Sequence, residues 1–297
     1  MKLPKFFIDK LENQYGKETA KEIIKGYSVK RNVTFRVNTL KSSVEKIEEI
    51  LKLKKIEYKK VAWSDEAFII ENARENEIQT LDIYKNGEIY LQSLSSMLPP
   101  IILEPKEGKD ILDMAAAPGG KTTQMAALSN NKAHITACEM NTIRAERLKY
   151  NIEKQGANSV YVMQKDSRKL DDFFSFDQIL LDSPCSGSGT FEIDSDVHIT
   201  EKFIEKITKT QGELLNKAIK ILKKDSEMVY STCSILYEEN EKNIERLLNK
   251  GIIEIIPIHI EKQDNMPILE SKLEGTLLIK PNELYEGFFV AKIKKIR

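Results

Sequence analysis

Apolar residues recur at helical spacing over residues 4–27, with Phe7, Ile8 and Leu11 before Gly16 and Ile23, Ile24 and Tyr27 after it. Two short helices separated at the glycine are predicted. From Val33 the pattern changes to the β-rich run VTFRVNT, returns to helical spacing over Val44–Leu53, and becomes strand-like again in EAFIIE. These segments predict a small α/β unit, closed by the short run EIYLQ near residue 92. SLSSMLPPIIL follows with helical character, and Pro99 and Pro100 are expected to break it.

Beyond that point buried-strand runs alternate with helical patterns. DILDMA, HITACE, SVYVMQ, DQILLDSP and EMVYSTC read as strands, and residues 120–129, 142–155 and 200–223 read as helices. Continuous apolar strands flanked by helices predict an α/β fold with a doubly wound, mostly parallel, Rossmann-like sheet. The ligand crevice is then expected at the carboxyl ends of its strands. The later runs IIEIIPI and EGFFVAKIKKIR are expected to extend the sheet edge. The organisation is therefore a small N-terminal α/β domain over residues 1–92 and a Rossmann-like domain over 93–297.

Composition narrows the class without naming a partner. Hydrophobic residues at 41% and charged residues at 31% describe a globular chain. The N-terminus MKLPKFFIDKLENQ lacks the apolar core of a signal peptide, so a cytoplasmic protein with no membrane contact, and a monomer, is expected. Three cysteines without a CxxC pair or a histidine cluster predict free thiols and no metal site. The formal net charge of +0 gives no global sign of a polyanion partner, so any nucleic-acid footprint must be local.

The strand ends carry the candidate chemistry. Strand DILDMA runs into Asp113-Met-Ala-Ala-Ala-Pro-Gly-Gly-Lys-Thr122, a loop of small residues opening onto a helix, which lets a ligand approach the backbone closely. Residues 115–122 nearly match GxxxxGK[ST], with alanine in the first glycine position, so a phosphate-binding NTPase is a rival reading. Three acids oppose it. Asp113 would repel a triphosphate but suits an amino-acid ammonium. Glu139 ends the next strand 26 positions later (139 − 113), where an acid grips ribose hydroxyls, and Asp166 follows the third strand, where an acceptor meets an adenine amino group. A nucleoside-type cofactor, S-adenosyl-L-methionine, fits this set.

Two cysteines reach the same crevice. Strand DQILLDSP ends in Asp182-Ser-Pro-Cys185-Ser-Gly-Ser-Gly-Thr190, and the fifth strand ends in Tyr230-Ser-Thr-Cys233-Ser234. Cys138, inside HITACE, reads instead as a small core residue. Carbon 5 of cytosine is a poor nucleophile, so its methylation needs prior thiolate attack on carbon 6 and later a base to remove the carbon 5 proton. One cysteine can serve each step, and Asp182 can balance charge on the ring if it donates a proton to nitrogen 3. Methylation of an adenine amino group fits poorly, because DSPC lacks the second proline and the aromatic residue of that motif.

Taken together, RVNTLK, YLQSLSSMLPP, DMAAAPGGKT, DSPCSGSGT, STCS and GFFVAK resemble the Nop/Sun-type RNA cytosine-5 methyltransferases along most of the chain. The resemblance implies a Rossmann-like class I methyltransferase in which Cys233 is the nucleophile and Cys185 assists release of the product. Ala115, Ala116, Ala117, Pro118, Gly119, Gly120 and Lys121, with Glu139, Arg144, Asp166 and Asp182, would line the cofactor and base pocket. It also implies an RNA substrate, with the motif set leaning toward bacterial ribosomal RNA members and transfer RNA as the alternative. The N-terminal domain would hold RNA, with Arg31, Arg36 and Lys41 as candidate phosphate contacts. A non-catalytic RNA-binding assembly factor is the alternative of another class. This chain has Asn282 and Glu286 where the family often has His and Asp, so neither is assigned a role.

Overall fold

The computed structural model describes residues 3–192, 197–260 and 266–297. It opens with helices α1 (Lys5–Tyr15) and α2 (Lys17–Tyr27), joined at Gly16, whose φ of 79° suits a residue without a side chain. There follow β1 (Val33–Val37), α3 (Val44–Leu53), β2 (Tyr58–Val61), β3 (Ser64–Ile70), α4 (Glu75–Thr80), α5 (Asp82–Lys85) and β4 (Ile89–Leu91). Their strands form an antiparallel sheet in the order β2-β3-β1-β4 around a core that includes Phe35, Ile47, Leu51 and Phe68.

The remainder contains α6 (Leu94–Leu103), β5 (Asp110–Asp113), α7 (Gly120–Leu128), β6 (His134–Cys138), α8 (Thr142–Gln155), β7 (Val160–Met163), β8 (Phe176–Asp182), α9 (Glu201–Ile221) and β9 (Leu222–Thr232). It ends with α10 (Glu241–Leu248), β10 (Ile253–Ile256), β11 (Ile268–Leu269), β12 (Leu277–Ile279) and β13 (Phe288–Lys295). The large sheet has the order β11-β12-β13-β9-β8-β5-β6-β7, and β7 through β9 are parallel. Chain order reverses between β5 and β8, so the crevice opens above their carboxyl ends. The strand β13 does not lie at the edge that its sequence pattern suggested. It is antiparallel to β9 on one side and pairs with β12 and β10 on the other, burying Phe288 through Lys292.

The proline pair does not break its helix, contrary to expectation: α6 runs through both Pro99 and Pro100. A proline at position 100 leaves the Ser96 carbonyl without its helical donor, and Gln92 Nε2 supplies one at 3.0 Å. The Ser93 hydroxyl caps the other end by accepting from Ser96 N.

Helices α1 and α2 are too short to hold their shape alone. Their buried face, Phe7, Leu11, Ala20, Ile23 and Tyr27, joins the core under the large sheet, with Leu181, Leu215 and Phe289, and not the core of the small sheet. Phe191, just past the Pro-Cys loop, packs edge-on against Phe7 and Tyr27 with ring centroids 5.6 and 5.4 Å apart. Tyr27 Oη also donates to the Ser188 carbonyl at 2.5 Å. The N-terminal helices thus brace a loop that carries one of the cysteines. No helix among the described residues is long and apolar enough to cross a membrane.

Candidate functional site

Above the switch point lies a crevice of about 360 Å³, walled by Ala115–Pro118, Gly120, Lys121, Asp182 and Cys233. A narrower chamber of about 90 Å³ adjoins it, lined by Glu139, Met140, Arg144 and Asp166. Ala115 lines both spaces. Gly119, which is buried, and Cys185, which is half-buried, line neither space. Gly119 begins α7 with φ 110°, and a side chain there would press on Leu148.

Asp113 shapes this loop from beneath. Its carboxylate is 1% exposed and accepts from Thr122 Oγ1 at 2.7 Å and Ala115 N at 3.3 Å. Burial pushes its pKa up to about 6, against the opposing pull of those two donors. Glu139 is likewise buried, with its oxygens 2.8 Å from Asn141 N and 3.4 Å from Arg144 Nε. Arg144 Nη2 reaches on to the Ala117 carbonyl at 2.9 Å, joining the two chambers. Asp166 is gripped by Arg168, which donates through Nε and Nη2 at 3.0 and 2.8 Å, and this bonding holds the carboxyl below its ordinary value. Cys138 is a core residue whose thiol burial pushes up to about 11.

Lys121 does not point along its loop as a phosphate-binding lysine would. Its ammonium lies 2.7 Å from Asp182 Oδ2 and 2.7 Å from Ser96 Oγ, over the ring of Phe288. Burial lowers the lysine's pKa, but the charge and hydrogen bond of Asp182 outweigh it and hold the ammonium above its ordinary value. Asp182 Oδ1 accepts from Ser231 Oγ at 2.7 Å. In this arrangement Asp182 is an acceptor toward both neighbours, and donation to a ring nitrogen would require it to gain a proton.

The two cysteine loops are packed backbone to backbone. Cys185 Sγ and Cys233 Sγ are 2.9 Å apart with both thiols free. Gly189 N donates to the Cys233 carbonyl at 3.0 Å, and Gly287 N donates to the Gly189 carbonyl at 2.8 Å. A Cβ at Gly189 would sit 1.9 Å from the Gly287 carbonyl oxygen, so only glycine fits between these strands. The hydrogen bond with Cys233, then burial, raise the Cys185 pKa well above the ordinary thiol value.

The three basic residues expected to touch phosphate all have hydrogen-bond partners within the protein, although only Arg36 is buried and Lys41 is exposed. Arg36 is buried and donates to Gln92 Oε1 at 2.9 Å, Thr123 Oγ1 at 2.8 Å and the Gly120 carbonyl at 3.1 Å. Arg31 Nε and Nη2 donate to the carbonyls of Tyr285 and Phe191. Lys41 Nζ caps the carbonyls of Asn86 and Lys154 at 3.0 and 2.7 Å. Each ties the N-terminal unit to the large sheet's domain through partners far away in sequence, which local patterning does not reveal.

Other residues on the crevice wall escaped the sequence reading. Tyr90, Gln92 and Ser93 reach it from the small sheet's last strand and the turn after it, and Glu286 from the segment before β13. Glu286 accepts from Ser93 Oγ at 2.6 Å, whereas Asn282 turns its side chain to the backbone amides of Leu284 and Tyr285. The position of Glu286 within GFF-flanking sequence was the available signal. Glu239 carried none beyond its place after the Thr-Cys motif.

The parallel sheet, the small-residue loop before α7 and the acids at successive strand ends define a Rossmann-like methyltransferase. The family of 16S rRNA methyltransferase RsmB/F matches residues 100–294, and the N-terminal domain of 16S rRNA methyltransferase RsmF matches residues 3–94. The chain therefore belongs to the RsmB/F methyltransferase family, and the NTPase reading of residues 115–122 is set aside. It is 33% identical to the ribosomal RNA small subunit methyltransferase F of Shewanella piezotolerans, over 98% of this chain and 63% of that protein. It is 37% identical to the tRNA (cytosine(72)-C(5))-methyltransferase of Pyrococcus horikoshii, over 74% of this chain and 56% of that protein. The chain thus spans about three-fifths of the length of these curated relatives. Among solved structures, a methyltransferase homolog protein from Pyrococcus horikoshii superposes with a TM-score of 0.87 at 33% identity, covering 99% of this chain and 96% of that one. NSun6 from Pyrococcus horikoshii with SFG gives 0.88 at 27% identity, covering 99% and 98%.

Proposed function

We propose that this chain is an S-adenosyl-L-methionine-dependent RNA (cytosine-5-)methyltransferase acting on ribosomal RNA, with Cys233 as nucleophile. The two chambers, which share Ala115 in their walls, suit an elongated ligand, a nucleoside toward Glu139, Arg144 and Asp166 and an amino acid toward residues 115–121 and Asp182. The small side chains of that loop leave room for the backbone to approach it. When bound, the cofactor supplies an electrophilic methyl group.

The observation that carries the reading is the placement of the cysteine pair, with the two sulfurs 2.9 Å apart and Cys233 on the crevice wall. Cys233 lines the crevice and Cys185 does not, which makes Cys233 the sulfur placed to attack carbon 6, with Lys121 and Asp182 beside it on the same wall. After methylation a base removes the carbon 5 proton, the carbon 5–carbon 6 double bond re-forms, and Cys233 leaves as thiolate. Cys185, once it has released its own proton, stands where that base is needed. The domain over residues 1–92 would hold the RNA, and the protein would work as a cytoplasmic monomer.

Transfer RNA is the second reading, supported by the 37% identity to a tRNA (cytosine(72)-C(5))-methyltransferase. The test is incubation of the purified chain with S-adenosylmethionine and unmodified ribosomal or transfer RNA, followed by bisulfite mapping. A single new 5-methylcytosine in ribosomal RNA is expected. Methylation confined to transfer RNA would replace the substrate, and none on any RNA would leave a non-catalytic assembly factor.

A further inference from the structure

We propose that Glu239 is a positioning residue for the cysteine pair, a single buried carboxylate that fixes the register of the Cys185 loop against the Cys233 loop. The proposal rests on the reading that both sulfurs act on one cytosine ring.

Glu239 lies between β9 and α10 and is fully buried. Its carboxylate accepts from four donors, and all four are neutral groups. Oε1 takes Ser186 Oγ at 2.5 Å and Ser234 Oγ at 2.9 Å, while Oε2 takes Ser186 N at 2.7 Å and Gln211 Nε2 at 3.3 Å. Ser186 directly follows Cys185, and Ser234 directly follows Cys233. One oxygen atom therefore receives a hydroxyl from each loop. The same Gln211 amide donates to the Pro184 carbonyl at 2.9 Å, so Cys185 is held through the residues on both its sides.

Closing the two loops does not require this carboxylate. The bond from Gly189 N to the Cys233 carbonyl and the 2.7 Å contact between the Ser188 and Ser234 hydroxyls already join them. A buried carboxylate is costly unless its acceptor sites are used, and here three of the four bonds go to the residues directly following the two cysteines, the fourth to Gln211. Carbon 5 and carbon 6 of the ring are bonded neighbours, so two sulfurs working on them in turn need registration to within about 0.5 Å. Glutamate suits this task because its carboxylate offers four acceptor sites. Glutamine at the same place would set an amide N–H against at least one of the donors.

The test uses the full chain with Glu239→Gln, Ser186→Ala and Ser234→Ala. Iodoacetamide alkylation, mapped peptide by peptide, reads the pair without reference to activity, and buried Cys138 serves as the internal control. Glu239→Gln is expected to raise alkylation of Cys185 and Cys233 by about tenfold or more while Cys138 stays protected, and to lower kcat with KM for RNA unchanged. Ser186→Ala, which frees the Cys185 side, should accumulate protein–RNA adduct, and Ser234→Ala, which frees the Cys233 side, should slow adduct formation. Should Glu239→Gln fail to fold, the two serine variants decide the matter. Alkylation and kcat within about twofold of wild type, or equal exposure of all three cysteines, would overturn the proposal. A wild-type chain that makes no 5-methylcytosine would sink the cytosine reading, while the alkylation arm still judges the brace.

Discussion

Lys121 Nζ lies 2.7 Å from Asp182 Oδ2, so one ion pair spans the crevice floor from the start of α7 to the end of β8. Removing either partner strands the other in a half-buried place. Lys121→Met is expected to cost about 1–3 kcal/mol in denaturant unfolding, below the range for fully buried pairs because the crevice admits water, and to suppress methyl transfer. The double variant with Asp182→Asn should recover the stability but not the activity. A double variant no more stable than the single one would mean that the pair is not coupled.

The two cysteines should fail differently. Cys233→Ala is expected to abolish both methylation and any covalent RNA adduct, because carbon 5 stays unreactive without attack on carbon 6. Cys185→Ala should methylate and then stall, leaving a nuclease-sensitive, slowly migrating species on a denaturing gel. The opposite pattern would reverse the roles of the two sulfurs.

Glu139 is buried beside the narrower chamber, where its carboxylate is expected to accept from ribose hydroxyls. Glu139→Ala should weaken S-adenosylhomocysteine binding by about 1–3 kcal/mol, measured by calorimetry. An unchanged dissociation constant would remove Glu139 from the cofactor site.

Asp113 makes stability depend on pH with a definite sign. Its folded pKa of about 6 lies above the ordinary 3.8, so the folded chain keeps a proton that the unfolded chain has released. Stability from this residue is full below pH 3.8 and is lost as pH rises to about 6, a change of about 3 kcal/mol. Asp113→Asn, whose amide still accepts from Ala115 N and can donate to a rotated Thr122 hydroxyl, should flatten that slope. Parallel stability curves for the two proteins between pH 4 and pH 7 would count against it.

The parallel strands were readable because burial on both faces leaves continuous apolar runs such as QILLD, and the polar residues ending those runs are the ones gathered at the crevice. What the chain hid depends on distant partners. Pro99 and Pro100 read as a helix break because the amide that relieves the break belongs to Gln92, outside the helix. Arg36 read as a surface cation because its acceptors at Gly120 and Thr123 are more than eighty residues away. Glu239 sits in an unremarkable acidic stretch, and only the meeting of two loops shows what it holds.

Arg36 has a consequence for how such a protein can be cut or recombined. Its guanidinium is the inner end of the small sheet, yet its acceptors lie on α7, beside the small-residue loop. Helices α1 and α2 lie still further in, as part of the large sheet's own core. The first ninety or so residues are thus not a detachable module strung ahead of a self-sufficient catalytic unit. A truncation starting near Leu94 would open the crevice wall at Tyr90 and Gln92, remove the Arg36 bonds to Gly120 and Thr123 and bare the apolar face beneath β9. Exchange of parts within such an architecture is constrained to the small sheet's outer surface, away from the seam that Arg36 closes.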